Sequence, residues 1–265
     1  MPMQLDGKLA LITGAGRGIG KAIAIGFAHQ GANIIAVSRT SAQVEETARE
    51  VQALGRRALA MEADVSRLDD VRSMAEQVQH NFGGLDMLVN NAALRMNQLG
   101  KKDSYTIPFT ELTIEDWDSA INVNLRGPFL CIRELLPLIR KRGGGSIINI
   151  SAGGGRRGMA GRSPYCASKF ALEGLTQTLA LEFQSLNIAV NSLSPGKHSI
   201  FTDEEKREQL KADPARVFMR PEMMVPPAVF LALQNGSGVT GQHVEALEWV
   251  AQNGFGRMED WKFEV

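Results

Sequence analysis

Short apolar runs recur along the whole chain and alternate with longer segments in which apolar residues return every three or four positions. The first kind of segment is typical of buried strands, and the second is typical of the helices that cover them. Strands are predicted at residues 8–13, 33–38, 57–64, 86–91, 145–151, 187–194 and 238–243. Helices are predicted at residues 21–29, 41–54, 67–82, 113–140 and 163–185, and we expect Pro128 and Pro137 to bend the fourth.

This alternation predicts an α/β fold with a doubly wound parallel sheet of about seven strands and helices on both faces. Neither an internal repeat nor a Gly/Ser-rich linker divides the chain, so residues 1–265 are expected to form a single domain. The segment 197–220 is charged and helix-like, and we expect it to close over a site as a lid. In such sheets ligands bind beyond the carboxyl ends of the strands.

Glycines fill the turn between the first strand and the first helix. They are Gly14, Gly16, Gly18 and Gly20, with Arg17 and Ile19 between them. Glycine lets the backbone approach a pyrophosphate, and the helix N-terminus supplies N–H groups and a positive dipole end. The alternative is a tight turn without a ligand, but the flanking strand and helix favour a nucleotide site.

The end of the second strand indicates which nucleotide is bound. An NAD site usually has an acidic residue about twenty residues beyond the glycine loop, whereas Arg suits the 2′-phosphate of NADP. Ser38 and Arg39 occupy that place here, and Arg17 adds a second guanidinium. Because guanidinium groups favour phosphate oxygens, the pattern predicts NADP(H). The alternative is that Arg39 is a solvated charge at a strand end.

Tyr165 and Lys169 are the strongest candidates for proton transfer. They are four residues apart, so both lie on one face of a helix. A phenol has a pKa near ~10, and an ammonium group close by lowers that pKa. We therefore expect the pair to exchange a proton with an oxygen near neutral pH, although the same spacing also occurs on many solvated helix faces.

The motifs, taken in order, resemble those of the short-chain dehydrogenase/reductase family. The matching segments are Thr13-Gly-x-x-x-Gly-x-Gly20, Asp64-Val65, Asn90-Asn-Ala-Ala93, Asn122-Val-Asn124-Leu, Gly145-Ser-Ile-Ile-Asn-Ile-Ser151, Tyr165-x-x-x-Lys169 and Pro195-Gly196. The resemblance covers about residues 5–200. It implies a Rossmann-type doubly wound sheet, a nicotinamide cofactor, and hydride transfer to or from the carbon of a carbonyl/alcohol pair.

The resemblance also implies individual roles. Tyr165 would donate or accept the proton, Lys169 would hold the nicotinamide ribose and acidify Tyr165, and Asn124 would position a water in a proton relay. Other cofactor contacts would come from Asp64, Val65, Asn90, Asn91, Ala92, Pro195 and Gly196. A homotetramer or a homodimer built on the helices at 113–140 and 163–185 is expected on the same grounds.

The sequence departs from the family pattern at the residues expected to contact the substrate. The family usually carries a catalytic Ser thirteen residues before the Tyr, and Ala152 occupies that position here. Ser151 lies one residue earlier, on the opposite face of the strand unless a bulge intervenes. Ala152 therefore motivates a rival hypothesis, a cofactor-binding protein or sensor without redox turnover. Epimerisation or dehydration on the same fold is a third alternative.

Basic residues are concentrated in the loops that should line the substrate pocket beside Ser151 and Ala152. They are Arg95, Arg156, Arg157, Arg162, Lys197 and His198. No acidic residue lies in 152–163 or 195–202, so we expect a basic cleft that draws an anionic carbonyl or alcohol substrate. The alternative is that these charges are solvated or pair with acidic residues at 203–205.

Composition limits the other classes of function. Lys+Arg and Asp+Glu both number 29, and this balance argues against a general nucleic-acid-binding protein. Cys131 and Cys166 are too few for a disulfide framework, and no Cys-x-x-Cys or His-x-x-x-His pattern indicates a metal site. Since the sequence has neither an apolar signal core nor an apolar run of about 18 residues, we expect a soluble cytoplasmic protein that does not insert into membranes.

Overall fold

The computed structural model describes residues 3–99, 105–196, 200 and 218–263. Lys197, His198 and most of the predicted lid at 197–220 lie outside the described residues. Within the described ranges, no helix combines the length and the apolar character that a membrane crossing requires.

Across the described residues, seven parallel strands form one sheet in the order β3-β2-β1-β4-β5-β6-β7. The strands are β1 (Leu9–Thr13), β2 (Asn33–Ser38), β3 (Ala58–Glu62), β4 (Met87–Asn90), β5 (Gly145–Ile150), β6 (Ile188–Ser194) and β7 (His243–Glu245). At the centre, Leu11 of β1 lies opposite Ile35 of β2 and Leu88 of β4. The strand order reverses at β1, so the predicted doubly wound sheet is confirmed.

Helices cover both faces of the sheet. They are α1 (Gly18–His29), α2 (Ser41–Ala53), α3 (Leu68–Phe82), α4 (Ile114–Ile121), α5 (Gly127–Lys141), α6 (Ser163–Phe183), α7 (Val225–Ala232) and α8 (Ala246–Gln252). Side chains of β1 alternate between the two cores. Ala10 and Ile12 belong to the core that contains Phe27 of α1, and Leu9 and Leu11 belong to the other. Because both faces are covered, β1 and β2 at the centre of the sheet are mostly apolar on both sides.

The seventh strand begins later than the sequence predicted. The prediction of a strand at 238–243 was wrong, because the strand is His243–Glu245. The preceding residues form turns: the N–H of Gly238 donates to the carbonyl of Asn235 (3.0 Å), and Gly241 has a φ of 73°. The short apolar segment between two glycines therefore belongs to a turn, which pattern alone does not distinguish from a strand.

The predicted fourth helix is interrupted at its middle. α4 ends at Ile121, a π-helical turn follows at Asn122–Arg126, and α5 begins at Gly127. Pro128 has no N–H to donate to the carbonyl of Asn124, as a continuous α-helix would require. Irregular turns of this kind are frequent at functional sites, and this one contains Asn124.

Candidate active site

A cavity of about 860 Å³ opens at the carboxyl edge of the sheet, within the size range of sites for small molecules and cofactors. Most residues predicted to bind cofactor or substrate line it: Gly14, Gly16, Arg17, Gly18, Ile19, Ser38, Arg39, Asp64, Val65, Asn91, Ala92, Arg95, Ser151, Ala152, Arg157, Arg162, Tyr165, Lys169, Pro195 and Gly196. Of the predicted residues that the structure describes, Gly20, Asn90, Asn124 and Arg156 do not line it. Residues from distant parts of the chain thus converge on one site.

The loop between β1 and α1 requires glycine for two reasons. Gly14 and Gly18 have φ values of 65° and 55°, a conformation that other residues rarely adopt. A Cβ at Gly20 would lie 2.3 Å from the carbonyl oxygen of Gly14, so Gly20 allows α1 to pack closely against the loop. α1 begins without a side-chain cap at Arg17. Its first residues, Gly18 and Ile19, line the cavity, so first-turn N–H groups are available to an anion there.

Two guanidinium groups lie at the end of the cavity near β1 and β2. Arg17 and Arg39 are exposed, and both line the cavity. Ser38 Oγ donates to the carbonyl of Thr40 (3.0 Å) and accepts from the Thr40 N–H (3.1 Å). These bonds fix the turn that carries Arg39.

Asn91 ties β4 to the glycine loop. Its Nδ2 donates to the carbonyls of Thr13 (2.9 Å) and Gly14 (3.1 Å), and its N–H donates to Thr13 Oγ1 (3.0 Å). Asn90, in contrast, is buried in the sheet, where its Nδ2 donates to Asn149 Oδ1 (2.9 Å). Asn90 therefore connects two strands inside the fold and does not face the cavity.

Asn124 joins the segment after β4 to α6. Its Oδ1 accepts from the N–H of Leu94 (2.7 Å), and its Nδ2 donates to the carbonyl of Leu94 (3.0 Å) and to Ser168 Oγ (3.2 Å). The residue is 1% exposed. The side-chain amide is therefore committed to holding the fold around the cavity.

Tyr165 and Lys169 lie on one face of α6 and both line the cavity. Lys169 is buried, and its Nζ donates to the carbonyl of Ile150 at the end of β5 (2.7 Å). Burial lowers the pKa of Lys169 to about 8, the charge of Glu173 opposes this change, and the charge of Arg95 adds to it.

The acidity of Tyr165 differs from the sequence prediction. Burial raises the pKa of this phenol, and the charges of Arg95 and Arg162 only partly oppose the increase. The sequence predicts that the ammonium of Lys169 lowers the pKa of Tyr165, but the effect of burial is larger and the pKa is raised. One reason is that Lys169 directs its Nζ at the carbonyl of Ile150.

Three of the predicted basic residues reach the cavity, namely Arg95, Arg157 and Arg162. Arg95 Nη2 donates to the carbonyl of Ile200 (2.9 Å), which holds that guanidinium at the cavity wall. Asp64 is the one carboxylate among the described residues that line the cavity. Arg95 and Arg162 act electrostatically on Tyr165, so the cavity wall beside that residue is basic.

A model of the short chain dehydrogenase family matches residues 8–211. This chain belongs to the short-chain dehydrogenase family. It is therefore an oxidoreductase of a family that works with a nicotinamide cofactor on small molecules.

Relatives of this short-chain dehydrogenase match most of its length. It is 35% identical over 245 residues to the 3-oxoacyl-(acyl-carrier-protein) reductase FabG of Thermotoga maritima, with 91% of this chain and 96% of the relative covered. It is 37% identical over 250 residues to the short chain dehydrogenase/reductase astE of Aspergillus oryzae, with 89% and 92% covered. A solved structure of a proposed NAD(P)-dependent gluconate 5-dehydrogenase from Beutenbergia cavernae holds NADP at low occupancy. It matches with a TM-score of 0.78 and 33% identity, covering 93% of this chain and 97% of that one.

This short-chain dehydrogenase has no hydroxyl where the family usually places its Ser. Ala152 lines the cavity in an extended conformation, with φ −159° and ψ 167°. The Ser151 hydroxyl oxygen is buried without a hydrogen-bond partner. The Ser151 hydroxyl lies near Glu173 and lowers the pKa of the Glu173 carboxyl. No hydrogen bond of ordinary geometry joins the two side chains. Ser151 thus does not supply the missing hydroxyl.

Some residues of the site are not evident from sequence motifs. Gln98 and Tyr105 line the cavity from the segment after β4, where the unusual length of the connection was the available signal. Glu173 lies one helical turn beyond Lys169, and that spacing was the signal for a partner of the ammonium.

Proposed function

We propose that this protein is an NADP(H)-dependent oxidoreductase that transfers a hydride between nicotinamide and a carbonyl or secondary alcohol substrate. The observation that carries this proposal is the single cavity shared by the glycine loop, Arg17, Arg39, Tyr165 and Lys169. When bound, the cofactor supplies the carbon that donates or accepts the hydride. The chain itself binds the cofactor, orients the substrate and moves the proton.

The shape and charge of the cavity favour NADP(H). The glycine loop and the uncapped first turn of α1 suit a pyrophosphate, and Arg17 and Arg39 suit a 2′-phosphate. Asp64, the nearest candidate for a ribose-binding carboxylate, follows β3, and its Oδ1 already accepts from the N–H (2.9 Å) and the hydroxyl (2.7 Å) of Ser66. The NADP in the related structure from Beutenbergia cavernae supports the same choice.

Tyr165 is the proton donor when a carbonyl is reduced. Its raised pKa keeps the phenol protonated at neutral pH, as a donor requires. The guanidinium groups of Arg95 and Arg162 stabilise the phenolate that remains after transfer. Lys169, anchored by the carbonyl of Ile150, presents an ammonium to the nicotinamide ribose beside Tyr165.

Asn124 supports the proton relay through its main chain. The side-chain amide is committed to Leu94 and Ser168. The carbonyl of Asn124, to which Pro128 has no N–H to donate, is the group we assign to holding a relay water.

The substrate is an anionic carbonyl or hydroxy compound. Arg95, Arg157 and Arg162 line the cavity near Tyr165, and a basic, partly enclosed cleft attracts anions. One guanidinium could hold a carboxylate through two parallel hydrogen bonds.

A cofactor-binding protein without turnover is the second candidate, and Ala152 is the observation that favours it. A hydroxyl aimed at the reacting oxygen is missing from that position, and Ser151 does not supply it. This alternative predicts NADPH binding with no reduction of any carbonyl.

We also infer a homotetramer that assembles through α4, α5 and α6. These helices carry large exposed apolar side chains, namely Ile114, Trp117, Phe129, Phe170 and Leu181. Such residues are costly to leave in water and are typical of interfaces between subunits. Light scattering at micromolar concentration should report a tetramer, and a monomer would contradict this assignment.

Replacement of Tyr165 by Phe tests the proposed function. NADPH oxidation is followed with a panel of keto acids, ketones and aldehydes. We expect kcat to fall by about 10²–10⁴, the usual contribution of a positioned general acid, while NADPH fluorescence still reports cofactor binding. Tyr105→Phe removes the chain's other phenol from the same cavity and should retain most of the turnover. Full turnover by Tyr165→Phe would refute the mechanism.

A further inference from the structure

A row of polar residues, partly buried at Tyr165 and buried beyond it, extends from the proposed active site towards the edge of the sheet. Tyr165, Lys169 and Glu173 follow one another at four-residue spacing on α6, so their side chains share one face of the helix. Lys169 is 3% exposed and Glu173 is 8% exposed. Two opposite charges are therefore buried one helical turn apart.

Glu173 is held by side chains from two neighbouring strands. The hydroxyl of Ser192 on β6 donates to Glu173 Oε2 (2.7 Å), and Nδ1 of His243 on β7 lies 2.8 Å from Oε1. Burial raises the pKa of Glu173, but hydrogen bonds from His243 and Ser192 and the proximity of Ser151 outweigh it, and the net direction is downward. The carboxylate is therefore ionised at neutral pH.

We propose that Glu173 is a positioning residue that keeps Lys169 in its ammonium form, and that His243 and Ser192 hold Glu173 in place for this purpose. The proposal depends on the proposed function only for its effect on turnover, because the electrostatic interaction between the two side chains requires no reaction. The physical reason is the burial of Lys169. A buried ammonium loses its proton readily unless an opposite charge compensates for the lost hydration.

The charges around Lys169 support this assignment. The pKa of Lys169 is lowered to about 8, chiefly by burial; Glu173 opposes the lowering, and Arg95 in the segment after β4 adds to it. The other titratable groups that face the pair are Tyr165 on the same helix and His243 on β7. Among the described residues, Glu173 is thus the carboxylate that offsets the burial of Lys169. Without it, the pKa of Lys169 would be lower still.

The same residues also have the connectivity of a nucleophilic triad, because Ser194 Oγ lies 3.1 Å from Nε2 of His243. Ser194 is 1% exposed, and neither Ser194 nor His243 lines the cavity. A substrate therefore has no access to this hydroxyl. The geometry points to a role in positioning rather than in hydrolysis.

Lysine NMR on the cofactor-free protein tests the pairing directly. The protein is labelled with ¹³C at lysine Cε, and the Lys169 signal is assigned as the one that Lys169→Met lacks. In Glu173→Gln the titration midpoint of Lys169 should move to lower pH by about one to two units, the usual effect of losing an opposite charge within ~4–6 Å. Glu182→Gln, an exposed position on the same helix, is the matched control and should leave the midpoint unchanged. An unmoved midpoint in folded Glu173→Gln would overturn the proposal.

Two further variants keep the test decisive if Glu173→Gln does not fold. Ser192→Ala and His243→Gln each disturb one contact with the carboxylate and should shift the Lys169 midpoint in the same direction by a smaller amount. Midpoints equal to the parent value in both variants would count against the proposal as strongly.

Steady-state kinetics separate this inference from the proposed function. In an active enzyme, the alkaline limb of the kcat/KM profile should move to lower pH in Glu173→Gln by about the same amount as the NMR midpoint. If no carbonyl is reduced by any variant while the midpoint still shifts, the proposed function fails and the pairing stands. If Glu173→Gln changes kcat/KM but shifts neither the alkaline limb of the pH profile nor the Lys169 midpoint, then Glu173 has only a structural role and the proposal is wrong.

Discussion

Replacing Lys169 by Met should change how the stability of the protein depends on pH. Lys169 is 3% exposed, and its Nζ donates to the carbonyl of Ile150 (2.7 Å). Burial lowers the pKa of this group from 10.5 to about 8 in the folded protein. In the unfolded chain the same amino group is hydrated and keeps its ordinary pKa. Folding therefore opposes protonation of Lys169.

The size and sign of the effect follow from this difference in pKa. Between about pH 8 and about pH 10.5 the unfolded chain keeps a proton that the folded protein has released, so the free energy of unfolding rises with pH in this window. One pKa unit corresponds to about 1.4 kcal/mol, so the full effect of Lys169 is roughly 3 kcal/mol. Between about pH 7 and about pH 9.5, roughly 2 kcal/mol of it should appear.

Urea denaturation of the parent protein and of Lys169→Met, without cofactor and at equal protein concentrations, measures this contribution. The quantity compared is the difference between the two free energies of unfolding at each pH, in which other titrating groups cancel. Lys21→Met is the matched control. Burial lowers the pKa of Lys21, but Glu50 and Glu46 raise it by more, so its difference should be flat over this range. A flat difference for Lys169 as well would refute the argument that burial depresses its pKa.

Three further predictions concern the cofactor and substrate. Arg39→Asp should reverse the preference for NADPH, with a loss of about 1.5–3 kcal/mol or roughly ten- to a hundredfold in NADPH affinity, measured as Kd for both cofactors. Equal Kd values in the parent protein would contradict NADP(H). Ala152→Ser should raise kcat, because a donor at a developing oxyanion contributes about 10²–10³ in rate; a decrease would show that Ala152 belongs to the working site. Keto acids should react better than their methyl esters, with kcat/KM falling as ionic strength rises. If acids and esters react equally well at every ionic strength, Arg95, Arg157 and Arg162 do not bind an anionic substrate and are ordinary surface charges.

Local spacing was enough to predict which residues meet at the end of the cavity near β1 and β2. The residues from Gly14 to Gly20 belong to one strand-turn-helix unit, Ser38 is the last residue of β2, and Asp64 and Asn91 follow β3 and β4. Parallel strands place their carboxyl ends at one edge, so sequence order alone brings these residues together. Because both faces of the sheet are covered by helices, the strands appear in the sequence as apolar runs, and their order can be predicted from these runs.

Roles that depend on contacts between distant segments were harder to predict. Asn90 and Asn124 both match the family pattern, but their side chains are buried in hydrogen bonds with partners 59 and 30 positions away. Spacing along the sequence does not show which polar side chains form buried hydrogen bonds with distant residues. The pairing of Glu173 with His243, 70 positions later, was hidden for the same reason.

Tyr165 illustrates why spacing locates a group more easily than it sets the acidity of that group. The four-residue step to Lys169 predicts a lowered pKa, yet burial raises it, and the opposing charges come from Arg95 and Arg162. Those arginines also line the part of the cavity that we assign to an anionic substrate. An anion bound there would offset their charge and raise the Tyr165 pKa further, because less positive charge would remain to stabilise the phenolate. Under the proposed function, substrate binding and proton retention by Tyr165 would be coupled, and the phenol would keep its proton until the reacting oxygen became basic enough to take it.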